Sequence, residues 1–188
     1  FGGLVAGAFS SGDLVGFLWG FPTSNPEVHH SHRLAVLKEF RGQGIGARLK
    51  WFQRSWCLER GVKLVQWTVD PLRAANAELN IRHLGATSSR YLVDYYGEMH
   101  GIDGGAPSDR LLLDWHLDSP AVETRLPKPP EDRGYPGAVS ANHVDTGRPH
   151  DARADLSDPF ILIKIPYDFT RLADKDRAQA ILWRLHTR

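Results

Sequence analysis

Residues 39–49 read EFRGQGIGARL and set glycines at 42, 44 and 46, just ahead of a helical pattern. Backbone without Cβ atoms at alternate positions can crowd against a bulky group, and a phosphate is the obvious candidate. Three phosphate-binding designs use glycines this way, and spacing separates them. A P-loop requires Lys-Ser or Lys-Thr after its last glycine. Ala47 and Arg48 follow Gly46, so that design fails. Gly42, Gly44 and Ala47 do satisfy the G-x-G-x-x-A of a dinucleotide fold, with Asp70 as the ribose-binding acid. Two features oppose it: KEFR separates the preceding strand RLAVL from Gly42, and hairpin strands come first. A glycine-rich turn that merely packs is the plainest alternative.

Outward from the loop, Ile45, Leu49, Phe52 and Trp56 recur at helical spacing, and Gly61 stands where a helix stop belongs. Upstream, GGLVAGAFSSGDLVGFLWGFP predicts two strands around the turn SSGD, and residues 29–37 (HHSHRLAVL) predict a third. Downstream, VKLVQWTVD predicts a buried strand and RAANAELNIRHLG a short helix ending at Gly85. SSRYLVDYYGEM and DRLLLDWHL predict two more strands. The order β-β-β-α-β-α-β-β makes an α/β domain with a mixed sheet over residues 1–118. Residues 119–158 are rich in proline and poor in aliphatic side chains, and predict a loop or linker. Residues 159–188 predict a strand and a helix, the start of a further region.

A net charge of +1 supplies no basic footprint for nucleic acid. No stretch approaches the roughly 20 apolar residues of a membrane helix. Cys57 is the only cysteine, which rules out an intrachain disulfide and a cysteine-rich zinc site. It reads as a packed thiol in a reducing, cytoplasmic protein. The chain opens on strand-like residues without an initiator Met and closes in a helix with no stop signal, as expected of a piece of a longer protein.

Arg41-x-x-Gly44-x-Gly46 resembles the Q/R-x-x-G-x-G/A motif of the GNAT superfamily of acyl-CoA-dependent N-acyltransferases. LAVLKEF is similar to the family's V-x-P-x-x-R stretch, with Lys38 where proline is common. WTVDPLRAANAELNIRHLGA resembles the second motif block, with Ala86 at a position often aromatic, and the combination is similar to a subgroup of predicted acetyltransferases. The resemblance covers residues 1–118 and lacks the family's usual N-terminal elements. It implies a mostly antiparallel sheet with a V-shaped splay between two central strands, here HRLAVL and LVQWTV. N–H groups from Gly42 to Ala47 would converge at the positive end of the helix, an anion site suited to pyrophosphate.

The resemblance further implies a cofactor site of Leu34, Val36, Arg41, Gly42, Gln43, Gly44, Ile45, Gly46 and Ala47. The backbone of Leu34 and Val36 would bond the pantetheine amides, and Asn76 or Asn80 the pantetheine arm. A backbone N–H there would hold the developing oxyanion. The cofactor would be acetyl-CoA or another acyl-CoA such as succinyl-CoA. Many relatives carry a Tyr acid on the second helix, where this chain has Ile81. Tyr91, Tyr95 and Tyr96 on the next strand are the substitutes, or the thiolate leaves unassisted. His30 and His32 share a strand face, and His32, nearer the reacting centre, is the expected base, since an imidazole suits proton abstraction near neutral pH.

A metal site from His29, His30 and His32 lacks evident partners, and none is expected. His143, Asp145, His150 and Asp151 read as solvated loop polarity, and Trp19, Trp67 and Trp115 as core. The expected activity is direct transfer of an acyl group to a primary amine of a small molecule, with a homodimer left open. A non-catalytic CoA-binding or sensing module is the competing reading, which Ile81 favours.

Overall fold

The computed structural model describes residues 2–97, 108–126, 134–151, 157–158 and 160–188. Strands β1 (Leu4–Ser10) and β2 (Asp13–Pro22) form an antiparallel hairpin with Leu4 opposite Gly20. Ser11 and Gly12 both take positive φ, as a two-residue hairpin turn requires. Strand β3 (Val28–Val36) runs antiparallel to β2, and helix α1 (Ile45–Leu58) follows the glycine loop. Strand β4 (Leu64–Val69) then pairs in parallel with β3. A short helix α2 (Ala74–Asn76), strand β5 (Thr87–Leu92) and strand β6 (Arg110–His116) complete a six-stranded sheet of order β1-β2-β3-β4-β6-β5. This is the mixed, mostly antiparallel α/β sheet that the resemblance implied.

Two segments depart from the sequence reading. The helix over RAANAELNIRHLG is α2 followed by a π-helical stretch, Ala77–His83, in which Leu84 N–H reaches back five residues to Leu79. Seven residues are too few for apolar spacing to separate 3.6 residues per turn from a wider helix. The strand predicted over SSRYLVDYYGEM stops at Leu92, and residues 93–96 turn. Asp94 takes a left-handed φ of 46°, and its N–H bonds Asp109 Oδ1 instead of a strand neighbour. Tyr95 and Tyr96 therefore sit on a turn and not on a strand.

Packing divides the chain into two compact units. The first holds Phe1–Thr68, Leu79–Ser89 and Leu112–Pro130. Its core joins Leu4, Val15 and Leu18 of the sheet to Ile45 and Leu49 of α1, with Leu34, Val36 and Trp56 packed against them. The buried face of α1 is Ile45, Leu49, Lys50, Gln53 and Cys57. It keeps Ile45 and Leu49 of the predicted stripe but leaves Phe52 half in solvent, because a lysine and a glutamine occupy the core side. Helix α3 (Pro120–Glu123) buries Val122. Trp67 and Trp115 are core residues as expected, whereas Trp19 is 43% exposed on the outer face of the sheet.

The second unit holds Val69–Glu78, Arg90–Leu111 and Glu131–Arg188. Within residues 119–158, predicted as loop, lie β7 (Val139–Ser140) and a hairpin of β8 (Asn142–Asp145) and β9 (Arg148–Asp151). Strand β10 (Ile161–Leu162) pairs in parallel with β7. Helices α4 (Phe169–Lys175) and α5 (Arg177–His186) replace the single predicted helix. Asp176 breaks the run by capping α5 through its carboxylate to Gln179 N–H. Leu72, Phe169, Ala180 and Trp183 form the core of this unit. Beside it, Arg184 binds both carboxylate oxygens of Asp70, both side chains being 9% exposed.

Two outcomes follow for stability and reactivity. Removing one partner of a buried ion pair strands the other charge, so Arg184→Met should cost about 3–5 kcal/mol in a urea melt. The double variant Asp70→Asn with Arg184→Met should recover part of that loss; equal losses would show the pair is not coupled. Burial pushes the Cys57 thiol up to about 11, so a thiol reagent at pH 8 should label it only after unfolding.

Candidate functional site

The parallel ladder between β3 and β4 is short. It pairs Val28 with Leu64, His29 with Val65 and His30 with Gln66, and then ends, although β3 continues to Val36 and β4 to Val69. On the other side of β3, Leu37 N–H still donates to Val15 carbonyl. In an antiparallel pair the bonded residues alternate, so Ala35 and Arg33 also face β2. Leu34 and Val36 then point their N–H and C=O groups at the open edge. These are the two residues whose backbone was expected to bond pantetheine amides, and an unpaired edge of this kind accepts an extended chain. Arg41 Nε donates to Val36 carbonyl at 3.1 Å, so part of the edge is occupied by the loop's own arginine.

The register of β3 on β2 also slips. Trp19 faces Arg33 but Gly20 faces Ser31, so His32 is the extra residue of a β-bulge. Burial follows the bulge: His29 and Ser31 face α1, as do Leu34 and Val36, while His32 and Arg33 both face outward. The His32 ring lies edge-on to Trp19 at 4.7 Å and 5.9 Å from His30. Burial, followed by the charges of His32 and Lys50, lowers the pKa of His30. The bulge was missed in the sequence. Its only trace there is that apolar alternation changes phase between His32 and Leu34.

Other expected site residues are placed differently. Asn80 is buried in the π-helical stretch of the first unit, and Asn76 ends α2 in the second. Ile81, where many relatives carry tyrosine, is 41% exposed. Tyr91 is bonded to Asp109 Oδ2, and Tyr95 and Tyr96 belong with it to the second unit. His143 and His150 stack across the β8–β9 hairpin. Among the described residues no group of three potential metal ligands occurs, and no helix is long and apolar enough to cross a membrane. A groove of about 680 Å³ runs along β1, walled by Leu4, Phe9, Phe40, Phe52 and Trp56; Gln43 and Ile45 of the expected site line it, and His32 and Leu34 do not.

The loop ends at the open first turn of α1. A 3-10 turn at Lys38–Phe40 leads to Arg41, and Gly42 and Gly44 take φ of 77° and 73°. Gly44 caps α1 with no side-chain bond, and the first helical bond runs from Arg48 N–H to Gly44 carbonyl. The N–H groups of Ile45, Gly46 and Ala47 thus precede the helical ladder and sit at its positive end. A Cβ on Gly44 would meet no protein atom within 4 Å. Its left-handed backbone, not crowding by the protein, demands glycine, and the open space is what a ligand would use. Gly44→Val should therefore weaken CoA binding by about 2 kcal/mol or more, roughly thirtyfold. Calorimetric titration with CoA checks this, and an unchanged Kd would refute the cradle.

The dinucleotide alternative loses its support in this geometry, because Asp70, its ribose-binding acid, is bound by Arg184. Residues 2–85 match the model of the acetyltransferase (GNAT) family. A search of curated proteins finds no match. Among solved structures, a GNAT family acetyltransferase from Elizabethkingia anophelis with acetyl-CoA bound is similar, at 19% identity over 61% of this chain and 76% of that one, TM-score 0.53. So is the ribosomal-protein-S18-alanine N-acetyltransferase of Escherichia coli, at 19% identity over 62% and 70%, TM-score 0.53. An aminoglycoside 6'-acetyltransferase type Ii shares 20% identity over 61% and 69%, TM-score 0.51. These likenesses are of fold. With the match over residues 2–85, they show that the chain is similar to the GNAT family of acetyltransferases and shares its fold.

Proposed function

We propose that this chain is an N-acyltransferase that moves an acyl group, acetyl in the first instance, from CoA to a primary amine of a small molecule. The observation that carries the reading is the continuity of one strand. The open edge at Leu34 and Val36 leads through Arg41 directly into the amide cluster at the start of α1. An extended pantetheine and its pyrophosphate need those two features in that order.

The amine nitrogen attacks the thioester carbonyl carbon, the carbon–sulfur bond breaks, and the electron pair leaves on sulfur. An open-edge N–H near Leu34 holds the charge that gathers on the carbonyl oxygen. His32, on the outward face of β3 that it shares with His30, takes the ammonium proton directly or through water. A thiol of pKa ~8.5 leaves as thiolate near neutral pH with little help, which removes the need for the acid absent at Ile81. Tyr95 and Tyr96 are assigned no step. A cytoplasmic setting fits the lone, packed Cys57.

Thiol release from acetyl-CoA with a panel of small amines tests the reading. Turnover is expected, and Gln at position 32 (His32→Gln) should lower kcat by about 10²-fold or more while acetyl-CoA Kd stays within about twofold. Binding without turnover on any amine would favour the sensing module. Full activity in His32→Gln would remove His32 as the base.

A further inference from the structure

A buried lysine lies beneath the parting strands of the first unit. Lys50 of α1 is 2% exposed, and its Nζ donates to Gln53 Oε1 at 2.8 Å and to Ser31 Oγ at 3.1 Å. The ammonium stands 3.7 Å from the ring centroid of Trp67 and 5.0 Å from that of Trp115. No carboxylate pairs with it among the described residues. Burying a cation without a counter-ion is costly, and a leucine would fill this helical position at no electrostatic cost.

The location supplies a reason. Ser31 is the first residue of β3 beyond the last β3–β4 pair, and Trp67 is the first of β4. One ammonium therefore touches a side chain from each strand one residue past the end of their backbone pairing. The next residue of β3 is the bulged His32, and Leu34 follows on the open edge. Whatever fixes Ser31 fixes the start of both.

We propose that Lys50 is a positioning residue for acyl transfer: by holding Ser31 and Trp67 together under the parting strands, it sets the opening and the place of His32 beside it. This rests on the acyl-CoA reading above. Burial pulls the Lys50 pKa down from 10.5 to about 7, so its charge changes in the neutral range. The groups facing it are His29, His30 and Ser31 on β3 and Gln53 and Cys57 on α1, with the indoles of Trp67 on β4 and Trp115 on β6.

The test compares wild type with Lys50→Met, a change of similar volume, and with Ser31→Ala, which leaves the lysine in place. Acetyl-CoA Kd, kcat and the pH–rate profile from pH 5.5 to about 9.5 are read for each. Lys50→Met should fold, with a Tm above wild type below pH 7. The native lysine gives up its proton near 7 and the unfolded one near 10.5, so wild type gains stability as pH rises through that window and the gap closes. Its kcat should fall about tenfold or more with Kd little changed, and the ionisation near pH 7 expected from the wild-type lysine should disappear. Ser31→Ala should show the same loss of kcat while retaining that ionisation, and it carries the test should Lys50→Met fail to fold. Wild-type kcat and pH profile in both variants would overturn the proposal while leaving the acyl-CoA reading intact. Absence of acetyl-CoA binding by wild type would overturn both.

Discussion

The site depends on a ladder that ends early. β3 and β4 pair for three residues and part after His30 and Gln66. Every hydrogen-bonding group that β3 presents beyond this point on its free side must find another partner or stay open to solvent or ligand. Val36 carbonyl finds Arg41, and Leu34 keeps its edge unpaired. A sheet interrupted in its centre, not at its rim, gives a ligand backbone partners on a rigid strand. The antiparallel pairing with β2 continues on the other side and holds that strand in place.

Helix α1 supports this interruption in two ways. Its first turn, opened by Gly44 in a left-handed conformation, offers unpaired N–H groups and a partial positive charge. Its buried face continues with Lys50 and Gln53, a polar layer set where a hydrophobic one would fill the space. The bulge at His32 connects the two, since it lets β3 bury Ser31 over that layer and Leu34 over the apolar core. One extra residue in a strand thus decides which side chains of β3 are buried.

Much of this was legible in the sequence because it depends on local chemistry. Gly42, Gly44 and Gly46 with Arg41 specified the loop, and the hairpin around Ser11 and Gly12 announced itself through turn residues. What stayed hidden depends on contacts distant in sequence. Periodicity placed Phe52 in the core because it could not see that Lys50 and Gln53 would find Ser31, Trp67 and each other. The turn holding Tyr95 and Tyr96 is fixed by the carboxylate of Asp109, fifteen positions after Asp94. The proline-rich appearance of residues 119–158 concealed the β8–β9 hairpin, whose strands are too short and polar for alternation to register. The partner of Asp70 lies 114 residues away in α5, and no spacing rule could have named it.

The second unit is held by its own apolar cluster and by the Asp70–Arg184 pair. The first unit holds the strand edge and the helix end proposed as two halves of a single binding track. Amide-resolved NMR of the protein titrated with CoA tests that most directly. Shifts concentrated at Leu34–Val36 and at Gly42–Ala47, saturating together, are the predicted result. Shifts confined to β1, Leu4–Ser10, or none at Leu34–Val36 and Gly42–Ala47, would contradict it.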